Sequence, residues 1–160
     1  MRCRSLVGFM LVLALMPAYA AVTVTYGDPD RFSDAGDRWN DPVKVMQTLA
    51  DQLRKLGDQV LPPGTDVRIE ILDLDRAGRT AMNLPTEIRV INGRTDMPCI
   101  DLRYEVTSGG ATTSPKRERV CDPQFLRSLE PRYSEHDPLV YEKRMLDEWF
   151  RARFGGKARP

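Results

Sequence analysis

Few side chains in this sequence are spaced to do chemistry. Asp73 and Asp75 lie two apart in Val67-Arg68-Ile69-Glu70-Ile71-Leu72-Asp73-Leu74-Asp75. Alternation puts both on one side of a strand. With Asp101 they are the carboxylates that could serve a hydrolase, because glycoside hydrolysis uses two carboxyl groups held at a defined separation. Arg76 and Arg79 follow directly, so local ion pairs are the plainer reading of Asp73 and Asp75. A second acidic group is Asp28, Asp30, Asp34, Asp37 and Asp41 in the loop Gly27 to Asp41. Clustered carboxylates suit Ca²⁺, yet the register fails for an EF-hand: Asp28 and Asp30 fit the first two ligand positions and Phe32 occupies the third. Asp is also a turn former and helix cap, which accounts for the loop without a metal. His136 is the single histidine. It stands in a loop before a helix cap with no Ser or Cys motif beside it, so a solvated neighbour of the cap is expected rather than a nucleophile's base. Zinc would need more Cys and His than the chain carries. The sequence contains no P-loop, no G-x-G-x-x-G and no G-x-S-x-G, and no cofactor is expected.

The beginning of the chain is a separate object. Arg2 and Arg4 precede an apolar run from Leu6 to Met16, and Ala18-Tyr19-Ala20 has the Ala-x-Ala form of a signal-peptidase site. A charged start, apolar middle and small-residue exit read as a secretory signal over residues 1–20, too short to anchor in a bilayer. Cys3 lies ahead of the apolar run, so lipidation at a mature N-terminal Cys is not expected. Removing the signal takes Arg2 and Arg4 away and leaves 22 basic against 23 acidic residues. That balance argues against a dedicated nucleic-acid or anionic-membrane binder, which needs a basic surplus. A periplasmic location follows, with no membrane insertion once the signal is cut.

The segments that must position these residues read clearly in places. Val22-Thr23-Val24-Thr25-Tyr26 is a short β-branched strand. Phe32 and Trp39 interrupt the Asp-rich loop and are expected to pin it to the body. Asp41-Pro42 opens a helix over 42–56, with Val43, Met46, Leu49, Ala50, Leu53 and Leu56 on its apolar stripe; Gly57 is its expected stop, the alternative being a ragged end that runs on to Leu61 before the prolines. The strand at 67–75 follows, and its phase slips at Ile71-Leu72, the mark of a bulge. Strand, helix and strand joined this way make a βαβ unit with parallel strands. Gly78 to Pro85 reads as irregular. Glu87 to Ile91 is a third strand candidate, and Ile100 to Val106 a fourth. Lys116 to Cys121 returns as a charged edge. Asp122-Pro123 predicts a short helix through Leu129. Asp137-Pro138 predicts a final helix over 138–154, with Tyr141, Met145, Leu146, Trp149, Phe150 and Phe154 inward. Asp147–Arg151 and Arg144–Glu148 are expected as ion pairs on its wet side. Residues 157–160 are expected to fray.

The two remaining cysteines, Cys99 and Cys121, form an even set in an exported chain, which favours a disulfide over a metal site. A five-residue loop from Ser108 to Thr112 would set Thr107 against Thr113, Asp101 against Arg119 and Cys99 against Cys121. Facing residues lie about 4.5–5.5 Å apart at Cα, within disulfide reach. The same register sets Arg103 against Arg117.

Four stretches together resemble a known family: Val22 to Tyr26 with Asp28-Pro29 and Phe32; Pro98-Cys99-Ile100-Asp101-Leu102-Arg103-Tyr104; Asp73 to Gly78; and Tyr141-Glu142-Lys143-Arg144-Met145-Leu146-Asp147-Glu148-Trp149-Phe150. The chain is similar over nearly its whole mature length to domain-of-unknown-function family 3016, small exported proteobacterial proteins. The resemblance implies export and one architecture, and implies no activity, ligand or catalytic residue. The expected fold is α+β: one domain over 21–156, two-layered, with a mixed sheet of four or five strands carrying both main helices on one face. The expected function is that of an exported accessory or binding protein without catalysis. Its partner would be an envelope protein or a small molecule. The alternatives are a hydrolase using Asp73 and Asp75, and a calcium-dependent adhesion module.

Overall fold

The computed structural model describes residues 19–38, 40–81, 88–127, 133–134 and 136–156. Residues 1–18 of the expected signal, Trp39, Leu129 and the tail at 157–160 lie outside the described residues. A mixed five-stranded sheet is built from β1 (Ala21–Tyr26), β2 (Thr65–Asp75), β5 (Cys99–Ser108), β6 (Ala111–Thr112) and β7 (Lys116–Cys121). Strand β1 runs parallel to β2, β2 antiparallel to β5, and β5 antiparallel to both β6 and β7. The sheet carries helices α1 (Pro42–Val60) and α2 (Val140–Phe154) on its apolar face, and the fold is α+β as expected. Among the described residues no helix is long and apolar enough to cross a membrane.

Alternation decides the two layers. Val24 on β1, Val67, Ile69 and Ile71 on β2, and Ile100, Leu102 and Tyr104 on β5 are buried under the helices. Thr23, Thr25, Arg68 and Arg103 between them are exposed on the open face. At Leu72 the register of β2 against β5 shifts by one, so Leu74 returns to the core and Asp73 and Asp75 stay on the opposite side. This is the bulge that the phase slip predicted, and it fixes where the two carboxylates point.

Helix α1 is capped as its sequence requires: Asp41 Oδ1 accepts the N–H groups of Val43 (2.8 Å) and Lys44 (3.2 Å), with Pro42 at the first position. It differs from expectation at Val43, and of the two expected ends it takes the longer one. Val43 is 46 % exposed and Val45 takes its place in the core. Gly57 does not stop the helix, which continues to Val60; it is the point of closest approach to β1, where an added Cβ would stand 2.3 Å from Val22 Cγ2. Glycine there serves packing, not termination.

Three other expectations are corrected. The segment after Gly78 is not irregular throughout: β3 (Arg79–Ala81) pairs with β4 (Ile88–Val90) as a separate hairpin outside the main sheet. Asp122-Pro123 opens only turns through Arg127, the Asp122 carboxylate accepting Gln124 N–H at 2.9 Å, and no helix forms there among the described residues. Helix α2 begins at Val140, not at 138, because Asp137 spends its cap on Leu139 N–H (2.9 Å) in the turn before it.

The Cys99–Cys121 disulfide is formed, with Cα atoms 4.2 Å apart. Cys99 faces Cys121, Asp101 faces Arg119 and Arg103 faces Arg117. The turn is tighter than the five-residue loop expected. Gly109 and Gly110 both adopt positive φ, Thr107 faces Thr112 instead of Thr113, and one residue is gained between β6 and β7 near Pro115. Like-charge contact between Arg103 and Arg117 is relieved sideways, by Glu70 for the first and Asp101 for the second.

Candidate functional site

Parallel strands β1 and β2 end on the same side of the sheet, the end at which α/β units commonly seat ligands. After β1 the chain makes a single 3₁₀ turn, Pro29–Arg31, capped by Asp28 through Asp30 N–H at 3.2 Å. It then returns along the end of β2, where Asp34 N–H donates to Leu74 O at 2.8 Å. This places Ser33, Asp34 and Asp37 beside Asp73, Asp75 and Arg76. Hairpin β3–β4 and the turn Arg94–Asp96 close the other side. The resulting cleft encloses about 430 Å³ and is lined by Ser33, Asp34, Asp75, Arg79, Thr95 and Asp96, among others.

Asp73 is held by three hydrogen bonds. Its Oδ1 accepts Ser33 N–H (2.6 Å) and Leu74 N–H (2.9 Å), and its Oδ2 accepts the Ser33 hydroxyl (2.6 Å). Burial pushes this carboxyl up, but these hydrogen bonds together with Arg119 outweigh it and hold it below the usual range. Asp75 is the opposite case. Burial, then the neighbouring Asp34, raise its carboxyl above the usual range; Asp73 adds to this, while Arg119 and Arg89 oppose it. No side chain or backbone group among the described residues hydrogen-bonds or ion-pairs with it. Neither carboxylate pairs with Arg76 or Arg79, contrary to the local pairing expected from their spacing.

The arginines go elsewhere. Arg76 is buried and donates from Nη1 to Asp37 Oδ2 at 3.0 Å. Arg79 binds Asp96 Oδ1 through Nε (3.2 Å) and Nη2 (2.7 Å), and Asp96 Oδ2 accepts Asn92 N–H at 2.8 Å. Arg89 on β4 donates to the carbonyls of Ala77 (2.6 Å), Gly78 (3.2 Å) and Arg76 (3.3 Å), and pairs with Asp34. From below, Glu142 of α2 accepts Ala77 N–H at 2.8 Å. Glu142 is buried, and that burial raises its carboxyl although the Ala77 bond and the nearby Arg76 and Arg89 oppose the rise. Among the described residues its Oε2 has no hydrogen-bond partner.

The remaining sequence candidates are not drawn into this cleft. Asp101 faces Arg117 (3.7 Å) and Arg119 (3.5 Å) across β7. Asp28 and Asp41 are caps, and Asp37 binds Asn40 as well as Arg76. His136 is exposed, with its backbone N–H on Ser134 Oγ at 3.3 Å. Cys99 pairs in register with Asp75, so the disulfide ties the strand beside the cleft to β7. A second concavity of about 260 Å³ lies on the open face between Thr23, Arg68, Glu70, Arg103 and Glu105, where Arg68–Glu105 and Arg103–Glu70 neutralise one another across strands.

Sequence reasoning missed Ser33, Asp34, Arg76, Arg89 and Glu142 as parts of one cluster. One signal was present. Glu142 precedes Met145 by three, Leu146 by four and Trp149 by seven, which puts a carboxyl on the apolar face of α2. The chain matches no curated protein and no solved structure. It matches the family described as Protein of unknown function (DUF3016) over residues 20–152, and so belongs to that family.

Proposed function

We propose that this chain is an exported, periplasmic binding or accessory protein that performs no chemistry, and that its ligand seat is the cleft beside Asp75. One observation carries the reading. Asp34, Asp73 and Asp96 each spend their charge on a partner within the chain, whereas Asp75 lines the same cleft with no partner among the described residues. A half-buried carboxylate with two acidic neighbours favours a compact cation, and the surrounding Ser33, Thr80 and Thr95 hydroxyls suit a small polar ligand. Export is supported by the signal-like start of the sequence and by a disulfide, which persists in oxidising compartments.

The hydrolase reading has one point in its favour: Asp73 is held low and Asp75 is held high, the separation that an acid and base pair needs. The occupancy of Asp73 weighs against it. Three of its about four acceptor sites are already taken by Ser33 and Leu74, and two of those are on the same oxygen.

Calorimetric titration with calcium chloride, ethylamine and arginine amide tests the binding reading. At least one probe should bind the wild-type chain and, because the Asp75 carboxyl is raised, release a proton on binding in mildly acidic buffer, and Asp75→Asn should abolish that binding without lowering the melting temperature. A wild-type chain silent to all three, or an Asp75→Asn variant that binds unchanged, refutes the assignment of the seat. Turnover of chromogenic glycosides that Asp75→Asn abolishes would favour the hydrolase.

A further inference from the structure

We propose that two copies of this chain pair through the free edge of β1, antiparallel about a two-fold axis, to make one continuous sheet. The sheet has two edges of opposite character. Strand β7 presents Lys116, Arg117 and Arg119 in six residues, the charge that keeps an edge from pairing. Strand β1, Ala-Val-Thr-Val-Thr-Tyr, has no charge, no proline and an unbroken six-residue register with β2. Among the described residues β2 is the only strand that pairs with it. In a parallel ladder each strand turns half of its N–H and C=O groups toward one neighbour, so the other half of β1's groups point outward.

The occupant that fits is β1 of a second copy. Facing residues in an antiparallel pair lie on the same side of the sheet. Pairing centred on Val24 sets Thr23 opposite Thr25 of the second copy on the open face, and Val22 opposite Tyr26 on the helix face. Val22 and Tyr26 are only partly buried against the core, and this register covers both. A shift by one residue would set valine against threonine and is disfavoured. Charge also fits. If the chain is processed after Ala20, as the export reading holds, the new ammonium of Ala21 stands next to Asp28 of the second copy, and the two-fold axis makes that pair twice. Helix α1 backs the strand tightly through Gly57 and Val22, so the edge is presented rigid. Closure about the axis leaves at each end the charged β7 and the two-residue β6, too short to template a further strand, which ends growth at the dimer.

Sedimentation velocity on the chain from Ala21 to Pro160, over a hundredfold range of concentration, tests this. The expected result is a monomer–dimer equilibrium. In the Thr23→Lys/Thr25→Lys variant, lysines face each other across the axis at positions exposed in the monomer, and the variant should stay monomeric with an unchanged circular dichroism spectrum. Should that variant misfold, hydrogen exchange on the unaltered chain decides: protection at residues 21–26 should rise with concentration while that of 116–121 does not. A wild-type chain monomeric throughout, a variant that dimerises like wild type, or concentration-dependent protection confined to β7 overturns the proposal.

Discussion

Replacing Trp149 probes the largest aromatic contact of the fold. Trp149 is 8 % exposed and meets Tyr104, Phe150 and Phe154 edge-on, with ring centroids 5.7, 6.1 and 5.6 Å away. Its Nε1–H donates to Glu118 Oε2 at 2.9 Å. Trp149→Ala removes the ring and opens a cavity between α2 and β5, a change that costs about 3–5 kcal/mol. Trp149→Phe retains most of the ring contacts and loses the N–H, which should cost about 1–2 kcal/mol. Glu118 keeps Tyr104 (3.0 Å) and Arg153 (2.7 Å) as partners, so its carboxylate is not stranded. The two variants separate packing from hydrogen bonding, and pH separates them again. Burial raises the Glu118 carboxyl, but the bonds from Trp149 and Tyr104 and the charge of Arg153 hold it below its ordinary value. A depressed folded value means that its stabilisation is complete above the unfolded value of 4.5 and is lost as pH falls through the folded one. Trp149→Phe should therefore flatten the acid limb of the stability profile. Urea unfolding followed by far-ultraviolet circular dichroism, at pH 7 and in steps down to pH 3, reads both effects. If Trp149→Ala unfolds at the wild-type urea midpoint, the residue does not hold the core and the reasoning fails.

Two further outcomes follow from the same geometry. The Cys99–Cys121 link spans a sequence separation of 22, so Cys99→Ala/Cys121→Ala should lower stability by up to about 3 kcal/mol on the chain-entropy estimate; two titratable thiols in denatured, unreduced wild-type protein would falsify the staple. Glu142 has a raised folded value, so its contribution is complete below the unfolded value of 4.5 and is lost as pH rises toward the folded one. Glu142→Gln keeps an acceptor for Ala77 N–H and should flatten that loss, whereas Glu142→Ala strands the N–H at a cost of about 1–3 kcal/mol; equal pH slopes for wild type and Glu142→Gln in chemical denaturation would count against the assignment.

Periodicity carried most of the fold. The alternation of β2 and its slip at Leu72 are local consequences of side-chain period and are legible from residues alone; the pairing of Cys99 with Cys121 matched expectation only because the residue gained near Pro115 offsets a turn one residue tighter than expected. The hairpin β3–β4 was not legible, because Arg79-Thr80-Ala81 has no apolar alternation of its own and pairs with a strand that begins only at Ile88. Val43 and Val45 exchanged roles because a capped first turn stands half out of the core, where the stripe no longer decides burial. The site was legible only in fragments. Asp73 and Asp75 were visible as carboxylates, but their opposite states depend on Ser33 and Asp34, some forty residues earlier in the chain.

The arginines show why pattern alone misplaced the charges. Arg144 sits on α2 four residues before Glu148, and that spacing reads as a surface pair. It is instead buried, donating to Phe125 O (2.6 Å) and pairing with Asp122 (2.9 Å). Glu148 meets Arg127 in its place, and the other surface pair, Asp147–Arg151, forms with Asp147 itself buried. Arg89 does on β4 what Arg144 does on α2: each reaches from a regular element to the carbonyls of an irregular one, 76–78 for Arg89 and Phe125 for Arg144. Backbone groups inside helices and strands satisfy each other, but those of a buried turn need a donor from elsewhere. A guanidinium supplies several N–H groups in a fixed plane and retains its charge, so it can hold a turn and an aspartate together. Arg89 and Arg144 therefore mark two places where the chain lacks secondary structure. One of those places, the turn after β2, forms the wall of the cleft beside Asp75. The rigidity of that wall, fixed by Arg89 above and Glu142 below, is what would let one unpaired carboxylate select a ligand.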